Sequence, residues 1–444
     1  MILSEQEAKK FLEKALQYSK ADSVILSLSG FNNYNLRFAL NSLSTNGFSD
    51  GLTLYITSNI GKKSGSVSLN NFEGDSLKKA IEKSEEIAKL SPDNKEYMDL
   101  LPPQTYLKGV DYSEDTENLT VDKRSDMLTY VIDESSKRDL TSAGYVEDET
   151  SFSAIMNSTG LFAYDPATLA SFSCTTRTKD GTGSSRVQNQ YVNVNDLDTK
   201  KLADRVLSRS VMSANPKELK PGRYTVILEP AAVADMVVYC SYFMDSRSAD
   251  EGRSFFSKQG GGNKIGELLV DPKVNIYSDP VDPKAPGTPF TYEGYPRSKT
   301  IWFENGVLRN LMRGRFWAEK TSQPVVPFYS NIFMEGTGKS VDDLIASTEQ
   351  GILVTRFWYI RTVDPRTVLL TGLTRDGLFE ISNGKIMGPV KNFRFNESPV
   401  NVLKNVLDIG KAENAVGAET GNTQIFVPAL KVKDFFFSSL SDAI

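Results

Sequence analysis

Two hydrophobic periods alternate along this chain of 444 residues, and their order limits the folds open to it. Ser4 and Glu7 have the S-x-x-E spacing of a capping box, and Ala8, Phe11, Leu12, Ala15 and Leu16 then recur at helical spacing. From Asp22 to Ser29 the period falls to two, with Val24, Leu26 and Leu28 on one side as in a half-buried strand. Leu52, Leu54 and Ile56 repeat that period, Gly61-Lys62-Lys63 marks a turn, and Ser64 to Leu69 completes a strand pair. A helix is predicted from near Asp75, with Leu77, Ala80, Ile81, Ile87 and Ala88 in phase, and another over Thr120 to Ser136 with Met127, Val131 and Ile132 inward. Residues 140–195 read as successive antiparallel strands whose ends carry turn chemistry at 157–160 and 180–183. A helix from about Asp198 to Met212 closes this half.

Residues 91–119 break the pattern, with three prolines, many acids and little periodicity; the reading is an ordered surface excursion. The stretch SANPKELKPGR, with Pro216 and Pro221, is taken as the domain boundary, giving an N-terminal α+β domain at 1–215 and a β-rich domain at 216–444. In the second half, Arg223 to Leu228 is an apolar strand and Pro230 to Met244 suits a helix. Asn305-Gly306 and Asn383-Gly384, each between apolar runs, are hairpin signals, and Gln424 to Phe437 is strand-like. The expected fold class is α+β: a mixed α/β-sheet domain followed by a barrel- or sandwich-like one.

Composition narrows the chemistry. Lys and Arg total 51 against 56 Asp and Glu, without a basic run, which argues against a nucleic-acid partner. There is no histidine, which removes the Ser-His-Asp triad, the Cys-His dyad and every zinc site needing imidazole. Two cysteines, Cys174 and Cys240, form neither a CxxC pair nor a four-cysteine site. No apolar run reaches the roughly 18 residues of a membrane span, and the N-terminus lacks the apolar core of a signal peptide, so no membrane partner and a cytoplasmic location are expected.

Several motifs invite a reaction and fall short. GTGKS at 336–340 resembles the end of a phosphate-binding loop, but the position needing the first glycine is Phe333, so a turn and a Ser-capped helix are expected. GGGNKIG at 260–266 lacks the GxGxxG order and reads as a flexible loop near a cleft. The acids of 245–251 and Asp279, Asp282 and Glu293 have no fixed ligand spacing and read as solvated loops. Cys240 sits among apolar neighbours as an inert thiol, and Arg375-Asp376-Gly377 reads as a turn. The residues alone give no self-sufficient catalytic set.

Taken together, four stretches resemble the TldD/PmbA (TldD/TldE) family, formerly labelled modulators of DNA gyrase: EGRSFFSKQGGG at 251–262, the stretch from Asp279 through TYEGYPRSKTIWFENGVL at 291–308, the long run from Trp358 to Pro399, and NSTGLFAY at 157–164. The resemblance runs from about Tyr34 to Phe437. It implies dimers enclosing a central cavity and, in active members, an HExxxH helix that holds zinc together with a cysteine near the C-terminus. Here the corresponding stretches are VVYCSYF at 237–243 and GAETGNTQ at 417–424, without any of those ligands. That departure resembles the TldE/PmbA branch, which implies a non-catalytic subunit of a metalloprotease complex acting on unfolded peptides. No cofactor is then expected in this chain, zinc belongs to a TldD-like partner, and the partner is that subunit or a second copy. By resemblance, the peptide-cleft candidates are Tyr239, Tyr242, Phe243, Arg253, Ser254, Arg375 and Asp376. The alternatives are a homodimeric peptide-binding protein of the same family and a metallopeptidase with non-histidine ligands.

Overall fold

The computed structural model describes residues 1–441 and contains two antiparallel-dominated sheets, one built before residue 192 and one after residue 221. In chain order the first half runs α1 (Glu5–Leu16), β1 (Ser23–Ala39), β2 (Ser42–Ile60), β3 (Lys63–Leu69), α2 (Ser76–Leu90), α3 (Glu114–Glu117), α4 (Val121–Lys137), β4 (Leu140–Asn157), β5 (Phe162–Thr178), β6 (Ser184–Tyr191) and α5 (Thr199–Met212). The strands form one six-stranded sheet in the order β3-β2-β1-β4-β5-β6, each neighbouring pair antiparallel.

Period-two alternation gives this sheet two unlike faces. Val24, Leu26 and Leu28 of β1 meet Leu54, Ile56, Ala154 and Met156, and the set packs on Ala8, Leu12 and Ala15 of α1 and on Leu77, Ala80 and Ile81 of α2. Farther along β1, Leu36 and Phe38 join Val146, Phe172 and Cys174 beneath Leu128 and Val131 of α4 and Ala203, Val206 and Leu207 of α5. The other face is polar over most of its length, where Ser29 opposes Thr53 and Ser153, Asn33 opposes Ser49 and Glu149, and Ser171 opposes Glu147 and Gln190. At one end of it Ile25, Ile155 and Ala163 pack with Leu161, Leu101, Tyr106 and Phe290. β1 outruns its expected end at Ser29 because it crosses from one apolar cluster to the other. Gly30, Asn32 and Tyr34 occupy the gap and interrupt the alternation.

α4 also differs from expectation. Its inward residues are Arg124, Leu128, Val131 and Ser135, with Met127 and Ile132 only partly covered. The face is rotated to bring Arg124 against Asp148 of β4, where Nη2 donates at 2.7 Å to a carboxylate that is itself buried. The excursion at 91–119 carries the short α3 and straps the two halves together. Leu101 O accepts from Asn157 Nδ2 at 2.8 Å, and Tyr106 OH donates to Gly294 O at 2.8 Å.

The second half begins with β7 (Gly222–Leu228) and α6 (Pro230–Tyr242). Its 13 strands form a sandwich-like arrangement that does not close into a barrel, with the long strand Gln424–Leu440 pairing β7, Asn331–Met334, Phe393–Glu397 and Val406–Asn414. Phe357, Phe393, Phe395, Phe435 and Phe437 are fully buried and in ring contact, anchoring the core. Both expected hairpins form: Asn305 and Gly306, and Asn383 and Gly384, all take positive φ, as a two-residue turn matched to strand twist requires. Ser340 caps the helix Val341–Ala346 in a reciprocal box with Asp343, which gives GTGKS its structural role. No described helix is long and apolar enough to cross a membrane.

Candidate functional site

α6 starts at a proline, which suits a first helical position, and is apolar nearly all round, so it is buried on most sides. One polar line interrupts it. Asp235, Tyr239 and Tyr242 follow at spacings of four and three residues, and this line meets the loop 415–423 and the strand Phe357–Asp364.

Asp235 is fully buried and accepts the backbone N–H groups of Ala418 at 3.1 Å and Glu419 at 2.9 Å. Burial pushes its carboxyl up to about 7, against the pull of the two amides and of Arg356. Gly417 lies so close that a Cβ there would collide with the Asp235 carboxylate. Glu419 in turn accepts the Ile360 N–H at 3.1 Å and faces Arg361, while Tyr239 OH donates to Ile360 O at 2.8 Å. The outer edge of that strand is therefore capped by side chains at Ile360, a way of blocking further strand pairing. Tyr239 is held near 12 by burial, as is Cys240, whose thiol lies in the core.

The cleft candidates fall into two groups. Tyr239 and Tyr242 stack edge to face with centroids 5.7 Å apart, and Phe243 O accepts Ser254 Oγ at 3.2 Å. Tyr239 and Ser254 are buried with satisfied hydroxyls and Phe243 packs on the core, whereas Tyr242 is half exposed. Arg253 is exposed and paired with Glu251. The second group lies across the strand Phe357–Asp364: Arg375 and Arg356 lie 5.3 and 5.2 Å from the Trp358 ring. Asp376 is buried and accepts Arg356 Nη1 at 2.6 Å and Ser184 Oγ at 2.5 Å, tying the second half to β6. The turn at 375–377 thus also carries an interdomain link. Asp235, Glu419, Arg356 and Trp358 escaped the sequence reading; the spacing from Asp235 to Tyr239 was the available signal.

A groove of about 710 Å³ runs between the polar face of the first sheet and the second half. Ser27, Tyr55 and Thr57 form one wall, Tyr97 and Met98 of the strap another, and Arg247, Arg315 and Trp317 the third. Arg247 forks onto Glu96 at 2.8 and 2.9 Å and stacks over Trp317. Among the described residues no three of histidine, cysteine, aspartate and glutamate converge as metal ligands. A zinc ion does not fit at α6: both Asp235 oxygens hold loop amides, Glu419 holds a strand amide, and the Cys240 thiol is protonated in the core.

Residues 105–214 match the PmbA/TldA metallopeptidase central domain and residues 221–439 the PmbA/TldA metallopeptidase C-terminal domain. The chain belongs to the PmbA/TldD family. It is 24% identical over 297 residues to a metalloprotease of Methanothermobacter thermautotrophicus, covering 61% of this chain and 62% of that protein, a little under two thirds of the relative. It is 23% identical over 257 residues to a metalloprotease TldD homolog of Buchnera aphidicola, covering 53% of this chain and 51% of that one. Its fold is that of TldE from Thermococcus kodakarensis, with a TM-score of 0.84 at 17% identity over 97% of this chain and 99% of that one.

Proposed function

We propose that this chain is a non-catalytic, TldE/PmbA-like subunit that pairs with a zinc-bearing TldD-like subunit and helps to admit unfolded peptides. The observation that carries this reading is the junction of α6 with the 415–423 loop. By the family resemblance, active members hold zinc between these two elements. Here a carboxylate accepting two loop amides joins them, and the oxygens and sulfur nearby are committed elsewhere. The helix-to-loop link is kept while the Lewis acid and its general base are not, which leaves the α6 junction without the metal-activated water of the active members.

The groove supports the peptide half of the proposal. Its walls combine hydroxyls and amides of the sheet's polar face with Tyr55, Tyr97 and Trp317 and with charged Glu96, Arg247, Glu293 and Arg315. Such a surface can satisfy backbone groups and cover apolar side chains without demanding one sequence. The test is cleavage of an unfolded peptide by the purified chain, with and without zinc and a chelator, and again after adding a TldD-like subunit. Cleavage only with the partner present is expected. Chelator-sensitive cleavage by this chain alone overturns the proposal, and peptide binding without activity in either setting favours a homodimeric binding protein instead.

A further inference from the structure

Beside the N-terminus of α6 lies a small cavity of about 60 Å³, several times the roughly 10–15 Å³ that one water needs. Four guanidinium groups line it: Arg186 from β6, Arg205 and Arg209 from α5, and Arg356 from the segment after the strand Gln350–Val354. Three of them have carboxylate partners. Arg205 and Arg209 share the buried Glu229, with Arg205 also reaching Glu413 at 3.7 Å, and Arg356 holds Asp376 at 2.6 Å.

Arg186 differs. Its Nη1 donates to Thr175 Oγ1 at 3.2 Å and its Nη2 to Gln188 Oε1 at 2.8 Å, both neutral acceptors. Among the described residues no carboxylate lies within ion-pair distance of it. Its charge also acts on Arg356, which burial first and Arg186 second hold below the ordinary guanidinium value, against the pull of Asp376 and Asp235. Asp235, the buried acid behind Arg356, lies outside the lining of the cavity, and burial raises its carboxyl toward the neutral form. The lining thus sets four guanidinium groups against the carboxylates of Glu229 and Glu413, with Asp376 outside it holding Arg356. Arg186 is the cation left with neutral acceptors, in a walled setting where charge-assisted hydrogen bonds are strong.

We infer that the Arg186–Arg356 cavity is a carboxylate-binding pocket that takes the C-terminal carboxylate of a peptide. This rests on the peptide-admitting function proposed above. The volume suits one carboxylate group, and the planar forks of two arginines suit its two oxygens. The α6 N-terminus, opening at Pro230 and Ala231, adds its dipole on the same side.

The test uses the purified chain and a short unstructured peptide of glycine, serine and alanine with an N-terminal fluorophore, made as the free acid and as the C-terminal amide. Fluorescence anisotropy is expected to show the free acid binding about tenfold more tightly, with an advantage that shrinks as salt rises. Arg186→Gln is expected to abolish the difference between acid and amide, and Arg186→Lys to retain part of it; a difference that persists in Arg186→Gln overturns the pocket. Equal binding of acid and amide to the unaltered chain overturns the pocket and leaves the peptide reading standing. Binding of neither form overturns the peptide reading and the pocket with it.

Discussion

Two buried aspartates, one in each half, show opposite ways of keeping a carboxyl away from water. Asp235 on α6 is surrounded by donors: two loop amides bind it and Arg356 lies within its field. Asp165 on β5 faces a second acid. It and Asp111 of the strap are both buried, their Oδ1 atoms both crowd the space where a side chain on Gly109 would begin, and Asp111 Oδ1 lacks a hydrogen-bond donor. Two adjacent buried carboxylates cannot both ionise. Burial, then the charge of Asp111, pushes Asp165 up to about 8, and the retained proton supplies the donor that Asp111 needs. One site anchors a loop by offering carboxyl oxygens to two amides, the other holds a strap and a sheet together through a shared proton.

The sharpest way to break this contrast is to remove the first carboxylate. Asp235→Ala leaves the Ala418 and Glu419 amides buried without an acceptor, a loss expected to cost about 2–4 kcal/mol in urea denaturation. Hydrogen exchange at those two amides should rise well above that of β7, and Asp235→Asn, which keeps one acceptor oxygen, should lose less. A cost for Asp235→Ala near that of an exposed substitution would mean the loop is held by other contacts.

The difference between the two aspartates also marks what the sequence could disclose. The Asn305-Gly306 and Asn383-Gly384 turns were legible because their φ demands are local, and so were α1, α2 and α5, whose apolar stripes need only one partner surface. Asp235 carries no local signal of its role, since its donors lie 183 and 184 residues away. Asp376 was readable as part of a turn, and its positive φ bears that out, but its bond to Ser184 spans 192 residues. The family resemblance located α6 and the 417–424 loop as the region to inspect. It could not reveal that a carboxylate holds them together here, because that substitution lies outside the motif.

A pH series separates the two aspartates next. Each carboxyl has an ordinary value of 3.8 and is raised in the folded chain, so the folded state keeps a proton that the unfolded state has lost. The contribution to stability is fully present below 3.8 and is lost as pH rises, through about 7 for Asp235 and about 8 for Asp165. In Asp165→Asn the amide can donate to Asp111 at every pH. The variant should match the parent under acid conditions and exceed it by about 1–3 kcal/mol in alkaline denaturation curves. A variant whose curve runs parallel to the parent's across that range would show that Asp165 does not carry the retained proton.

The smallest expected effect tests whether Asp235 or its neighbours hold the α6 junction. Tyr239→Phe deletes the hydroxyl that donates to Ile360 O, but that carbonyl also accepts Arg361 Nη1 at 2.6 Å and is not left bare. The ring stays in the core against Tyr242, so packing is conserved. The loss should be about 0.5–1.5 kcal/mol, clearly below that of Asp235→Ala, with exchange at Ala418 and Glu419 unchanged. If Tyr239→Phe instead releases those amides, the junction is one coupled network in which the tyrosine and the aspartate act together. In that case the double variant would cost less than the sum of the two single ones.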